Sequence, residues 1–120
     1  MSKKDFFRNI EKHVGDEFNI QEAFNLVKYD TSVYWSWGAH NVVNLLNKGL
    51  MFKVNGYLHK GFVLVTYNTV PDLYSVTLLN GQYNEVKKYS HIYCDELQQR
   101  IDNLVERQPE YRPISKPKFS

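Results

Sequence analysis

Hydrophobic residues at the start of the chain recur every three to four positions, the spacing of one face of an amphipathic helix. A first stripe, preceded by the S-x-x-D pattern of helix starts, consists of Phe6, Phe7, Ile10 and Val14. A second stripe follows Asn19 and consists of Ile20, Ala23, Phe24 and Val27. The pattern predicts two short helices, over about residues 3–14 and 20–29.

From residue 50 onward hydrophobic and polar residues alternate, as they do in β-strands. Asn55-Gly56 lies between two such segments and predicts a hairpin with a two-residue turn, in which both turn positions have φ > 0. In that register Val54 lies opposite Tyr57. One face then carries Leu50, Phe52, Val54, Tyr57, Val63 and Val65, and the other carries Met51, Lys53, Leu58, Lys60, Phe62 and Leu64. The first face is the better candidate for the core.

The segments LYSVTLL and QYNEVKKY flank Asn80-Gly81 and predict a second hairpin. A two-residue turn would pair Val76 with Glu85, whereas a longer turn would slip the pairing. The stretch HNVVNLLNKG fits either a helix that ends at Gly49 or an edge strand, and its β-branched residues favour the strand.

The preceding stretch, VYWSW, is predicted as a strand with a bend near Gly38. Alternation along that strand puts Trp35 and Trp37 on the core side. Tyr34 and His40 are then left as surface contacts.

The C-terminal part of the domain contains CDELQQRIDNLVER, whose apolar stripe predicts a helix and consists of Leu97, Ile101, Leu104 and Val105. The order of elements predicts an α+β fold, an antiparallel β-meander of about five strands with two N-terminal helices and one C-terminal helix. Residues 1–107 form the single domain, and the proline-containing residues 108–120 are expected to be an extended or disordered tail.

Composition places the chain among globular proteins, with 42% hydrophobic and 23% charged residues among 120. No apolar run reaches the roughly 18 residues of a membrane span, and the N-terminus lacks the apolar region of a secretory signal. The one cysteine, Cys94, excludes an internal disulfide framework. A cytoplasmic setting is therefore expected, although a secreted protein without disulfides stays open.

Catalytic and metal-binding patterns are weak. Cys94 lies at a predicted helix start, three residues after His91, but the sequence marks neither an orienting group nor an oxyanion-hole donor. A small buried residue at a strand-to-helix junction is the simpler interpretation of Cys94. The histidines have no metal-ligand spacing, and no phosphate-binding glycine motif is present. The chain is expected to be no enzyme and to need neither cofactor nor metal.

Two binding functions remain open. The predicted sheet face opposite the helices carries apolar residues between lysines, which indicates a contact surface for a protein partner or for self-association. Its expected contact residues, with one further exposed tyrosine, are Met51, Lys53, Leu58, Lys60, Phe62, Leu64 and Tyr34. Alternatively, aromatic residues of the sheet and Lys53, Lys60, Lys87 and Lys88 bind single-stranded nucleic acid.

Four segments of the chain, WGAHN, GLMFKVNGYLHKGFVLV, DLYSVTLLN and YCDELQQRIDNLVE, resemble a family of small, functionally uncharacterised bacterial proteins, often carried on mobile or phage-related DNA. The resemblance covers about residues 35–107. The matching positions are Trp37, Gly38, Asn41, Leu50, Phe52, Lys53, Val54, Gly56, Lys60, Gly61, Asp72, Tyr74, Leu97, Ile101 and Asp102. It implies a compact α+β domain in a bacterial cytoplasm and assigns no activity, cofactor or catalytic residue.

Overall fold

The computed structural model describes residues 13–70 and 72–106. The helices are α1 (Ile20–Val27), α2 (Thr31–Ser36) and α3 (Leu97–Val105), the last preceded by a 3₁₀ turn at Cys94–Glu96. The strands are β1 (His40–Asn44), β2 (Leu50–Asn55), β3 (Lys60–Asn68), β4 (Leu73–Leu79) and β5 (Glu85–Ile92), in spatial order β1-β2-β3-β4-β5. Neighbouring strands are antiparallel throughout. The predicted α+β meander is confirmed, whereas the tail and nearly all of the predicted helix over 3–14 lie outside the described residues.

Helix α1 begins as predicted, because the Asn19 side chain accepts a hydrogen bond from the Glu22 amide at 3.0 Å. Its apolar stripe packs Ala23 and Val27 into the core. Helix α3 also follows its predicted stripe, and its buried residues are Leu97, Ile101 and Val105. None of the helices in the described parts of the chain is long and apolar enough to cross a membrane.

The segment predicted as the strand VYWSW is instead helix α2. The Asp30 carboxylate accepts hydrogen bonds from the Ser32 and Val33 amides and so caps a helical turn. Helical spacing buries Tyr34 and Trp37, whereas Trp35 is 66% exposed. The predictions that Tyr34 is a surface contact and that Trp35 joins the core are therefore both wrong. The bend at Gly38 is present, with φ +64°.

The first hairpin has a longer turn than predicted. Val54 pairs with Gly61, which lies four positions beyond the predicted partner Tyr57. Neither Asn55 nor Gly56 has the positive φ that a two-residue turn would need. An even slip keeps the strand residues on their predicted faces. Leu50, Phe52, Val54, Val63 and Val65 accordingly lie in one core cluster. The prediction for Tyr57 is wrong, because it lies in the turn and is 58% exposed rather than on the core face.

The second hairpin uses the longer of the two turns considered, since Val76 pairs with Tyr89 rather than with Glu85. The Asn80 side chain accepts hydrogen bonds from the Gln82 and Asn84 amides and holds this loop. Residues 40–44 form the edge strand β1, which confirms the strand that the sequence favoured over a helix.

Both faces of the sheet bury apolar side chains. The helices cover the main core, while a second cluster on the opposite face comprises Leu45, Met51, Leu64 and Leu79. Met51 and Leu64 are 2% and 0% exposed, so their assignment to a contact surface is wrong. They pack against each other across β2 and β3 and against Val14, which closes this part of the face.

Candidate functional site

The structure divides the predicted contact residues. Met51, Leu64 and Tyr34 belong to the interior, and Phe62 is half-buried. Lys53, Leu58 and Lys60 are exposed. The predicted surface is thus reduced to the end of the sheet near the β2–β3 turn, where Lys53 and Lys60 lie with His40 around a shallow hollow.

A cleft of about 570 Å³ opens at the other end of β3. Its walls come from four stretches of chain: the segment before α1 with the first turn of α1, the end of β3, the β3–β4 turn with the start of β4, and the residues after β5. We call it the aromatic cleft; its lining residues are Phe18, Asn19, Glu22, Tyr67, Asp72, Leu73, Tyr74, Tyr93 and Cys94.

Backbone hydrogen bonds hold the segment before α1 against the sheet. The Asp16 amide donates to the Tyr67 carbonyl at 3.0 Å, and the Phe18 amide donates to the Asn47 carbonyl at 2.9 Å. The Asp16 carboxylate accepts from both the amide and the hydroxyl of Thr69, and these bonds lower its pKa. Phe18 is thereby fixed beside the end of β3.

Three aromatic rings form the inner wall of the cleft. The ring centroids of Tyr67 and Tyr74 lie 5.2 Å apart, and that of Phe18 lies 5.8 Å from Tyr67 and 6.1 Å from Tyr74. Phe18 meets Tyr74 edge to face, an arrangement that aromatic pairs prefer. The wall is therefore a contiguous aromatic surface, and the exposed ring of Tyr93 stands at its margin.

Asp72 is held at the mouth of the cleft in a left-handed conformation, with φ +72°. Its amide donates to the Asn68 carbonyl, and its carboxylate accepts a hydrogen bond from the Tyr67 hydroxyl. Aspartate tolerates this conformation better than most residues do. The hydrogen bond to Asp72, aided by burial, raises the pKa of Tyr67.

The hydroxyl of Tyr74 is also kept protonated. Burial, with a smaller effect of the Glu22 carboxylate, raises the pKa of Tyr74 to about 12. Glu22 and Asp72 thus place negative charge beside two neutral tyrosines, and no lysine or arginine of the described residues lines the cleft. Aromatic faces and carboxylates both attract cations.

Cys94 is exposed, so its interpretation as a buried junction residue is wrong. It lies where the chain leaves β5 and enters the 3₁₀ turn, and it lines the aromatic cleft. It also lines a neighbouring cavity of about 470 Å³ beside Tyr29 and Gln98. The thiol therefore marks the boundary between two adjoining depressions.

Metal-ligating side chains do not come together in the described ranges, where no group of three or more His, Cys, Asp or Glu residues could hold a metal ion. His59 is packed in the β2–β3 turn, with Nε2 3.2 Å from the Phe62 carbonyl oxygen.

The comparisons with known proteins give no relative: the chain has no significant match among protein-family models, curated proteins or solved structures. The resemblance to a family of small bacterial proteins stays a prediction. Two of its positions, Asp72 and Tyr74 of the D-x-Y segment, lie in the aromatic cleft.

Sequence reasoning missed the aromatic cleft because its walls come from four separate stretches of chain. The available signal was the D-x-Y segment with a second tyrosine, Tyr67, in the preceding strand. Tyr67 pairs directly with Tyr74 in the sheet. A correct alignment of β3 with β4 would therefore have predicted that the two rings lie side by side.

Proposed function

We propose that the protein is a non-enzymatic binding module that holds a cationic side chain, lysine or arginine, of a partner protein in the aromatic cleft. The observation that carries the proposal is that a wall of three aromatic rings lies beside the carboxylates of Glu22 and Asp72 in one cleft. Among the described residues, no lysine or arginine lines this cleft. A cation over an aromatic face gains about 0.5–2 kcal/mol, depending on how far it is desolvated.

The tyrosines argue against proton-transfer chemistry in the cleft. A general acid or base works best when its pKa lies near the working pH. The pKa values of Tyr67 and Tyr74 are instead raised above the ordinary value of 10.0. Both hydroxyls stay protonated at neutral pH, as suits a binding surface.

The proposed setting is a bacterial cytoplasm. An exposed thiol such as Cys94 persists in a reducing compartment and is prone to oxidation or disulfide exchange in an oxidising one. This agrees with the setting that the family resemblance implies.

The single cysteine provides the test. Because Cys94 lines the aromatic cleft, an occupant should slow its alkylation by a neutral reagent such as iodoacetamide. We expect an oligolysine peptide to protect Cys94 in a saturable way and an oligoglutamate peptide of equal length to give no protection. Absence of protection by oligolysine, or equal protection by both peptides, would overturn the proposal.

Matched variants locate the interaction. Glu22→Gln removes a charge from the cleft, and Glu85→Gln removes the same charge from the exposed edge of β5. We expect Glu22→Gln to weaken protection about two- to fivefold, as for the loss of about 0.5–1 kcal/mol, and Glu85→Gln to leave it unchanged.

The aromatic contribution is tested in the same way. Tyr93→Ser removes an exposed ring of the cleft, and Tyr57→Ser removes an equally exposed ring elsewhere. Weaker oligolysine binding is expected for Tyr93→Ser alone. Equal effects of the paired substitutions would show that oligolysine binds outside the aromatic cleft.

A further inference from the structure

The opposite end of β3 carries positive charge. A hollow of about 410 Å³, which we call the basic hollow, is lined by the side chains of His40, Lys53 and Lys60. The register places His40 directly opposite Lys53. Lys60 is a diagonal neighbour of Lys53 on the same face, about 7–8 Å away at Cα. No acidic residue of the described chain lines the hollow, so its charges lack a counterion there.

Gly61 and Gly81 also line the basic hollow. Beside it the half-buried ring of Phe62 stacks on Tyr83, with centroids 4.8 Å apart. The Lys53 ammonium lies 5.8 Å from the Phe62 centroid. Lys53 therefore lines the hollow and also lies close to an aromatic pair beside it.

A backbone contact fixes one ring nitrogen of His40. Its Nδ1 lies 2.7 Å from the Gly38 carbonyl oxygen, and because a carbonyl only accepts, Nδ1 must carry the proton. The other ring nitrogen, Nε2, is left for a contact outside this bond.

We infer that the basic hollow binds the phosphodiester backbone of single-stranded nucleic acid, with Lys53 and Lys60 holding adjacent phosphates. Single strands suit a depression of this kind, because their unstacked bases can pack on neighbouring rings while lysines contact the backbone. An acidic peptide would use the lysines but not the pair formed by Phe62 and Tyr83. The inference is independent of the proposed function, because the hollow and the aromatic cleft share no lining residue.

The test is the binding of a short fluorescein-labelled oligothymidylate, followed by fluorescence anisotropy at increasing salt. The decisive variant is Lys53→Gln/Lys60→Gln, and the control is Lys87→Gln/Lys88→Gln, which removes the same charge from exposed positions of β5. Each phosphate contact contributes about 0.7 to the slope of log affinity against log salt, so the first pair should lower the slope by about 1.4. The control should leave affinity and slope nearly unchanged.

Each other outcome overturns the inference. Equal losses in the two double variants would show that net charge alone attracts the strand. Competition by oligoglutamate as strong as by unlabelled oligothymidylate would assign the hollow to an acidic protein. Competition by inorganic phosphate at similar concentration would reduce it to a simple anion site, and absence of binding at low salt would exclude nucleic acid.

Discussion

Gly56 is the position where a single methyl group tests the packing between the first hairpin and α3. A Cβ at residue 56 would lie 2.4 Å from both the carbonyl oxygen and Cγ1 of Val105. Ordinary contacts begin near 3.4 Å, so the end of α3 must retreat by about 1 Å. The Val105 carbonyl accepts hydrogen bonds from the Leu58 and His59 amides at 2.7 and 3.3 Å, and that retreat breaks or weakens both.

The expected cost of Gly56→Ala follows from these contacts. Losing two hydrogen bonds costs about 1 kcal/mol each, and overpacking adds about 1 kcal/mol or more. Together these effects should lower the free energy of unfolding by about 2–4 kcal/mol. The matched control is Gly81→Ala, because no described atom lies within 4 Å of a Cβ there. That change is expected to be neutral or to stabilise by about 0.4–1 kcal/mol through the unfolded chain.

The assay is urea unfolding followed by tryptophan fluorescence, with the midpoint and the slope fitted separately. Gly56→Ala should shift the midpoint strongly to lower urea at an unchanged slope. If Gly56→Ala and Gly81→Ala unfold within about 0.5 kcal/mol of each other, the contact with Val105 does not constrain this turn and the reasoning is refuted.

Two further predictions concern Trp37 and Tyr74. Trp37 is fully buried and donates a hydrogen bond from Nε1 to the Asp102 carboxylate at 2.9 Å. In the same urea assay, Trp37→Phe should therefore lower the free energy of unfolding by about 2–3 kcal/mol. The control Trp35→Phe, at the exposed neighbour, should change it by less than about 0.5 kcal/mol. For Tyr74 the folded pKa of about 12 exceeds the ordinary 10.0, so its stabilising effect is complete below pH 10 and is lost as the pH rises toward 12. Urea midpoints across this range should fall less steeply in Tyr74→Phe than in the parent protein; an identical alkaline limb would contradict the assignment.

The first hairpin shows why the faces of the sheet could be predicted while its register could not. Asn55-Gly56 indicated a two-residue turn, but Gly56 is needed here for its close approach to Val105 and not for a positive φ. That contact joins residues far apart in the chain, and no local pattern contains it. The side-chain alternation of a strand has a period of two, so a slip of four residues changes the pairing but leaves the residues that stay in the strands on their predicted faces.

The error at α2 has a different physical origin. Tyr, Trp and Val favour strands because they pack well on a pleated surface, and VYWSW contains little else. The Asp30 cap and the contact of Tyr34 and Trp37 with the core decided for a helix instead. The centroids of these two rings lie 5.7 Å apart, as expected for residues three apart on one helical face. The Asp30 cap thus outweighs the strand propensity of the aromatic run that follows it.

The two proposed sites explain how a small net charge can conceal two charged surfaces. Tyr67 and Lys60 lie seven residues apart in β3, a separation of about 23 Å along the strand. The Debye length at physiological ionic strength is about 8 Å, so the carboxylates of the aromatic cleft are largely screened from the lysines of the basic hollow. Each end can therefore attract a ligand of opposite charge without weakening the other. The net charge of +2 sums all 15 basic and 13 acidic residues of the chain and so describes neither surface. As proposed, such a module holds a cationic protein segment at one end of β3 and a single-stranded nucleic acid at the other.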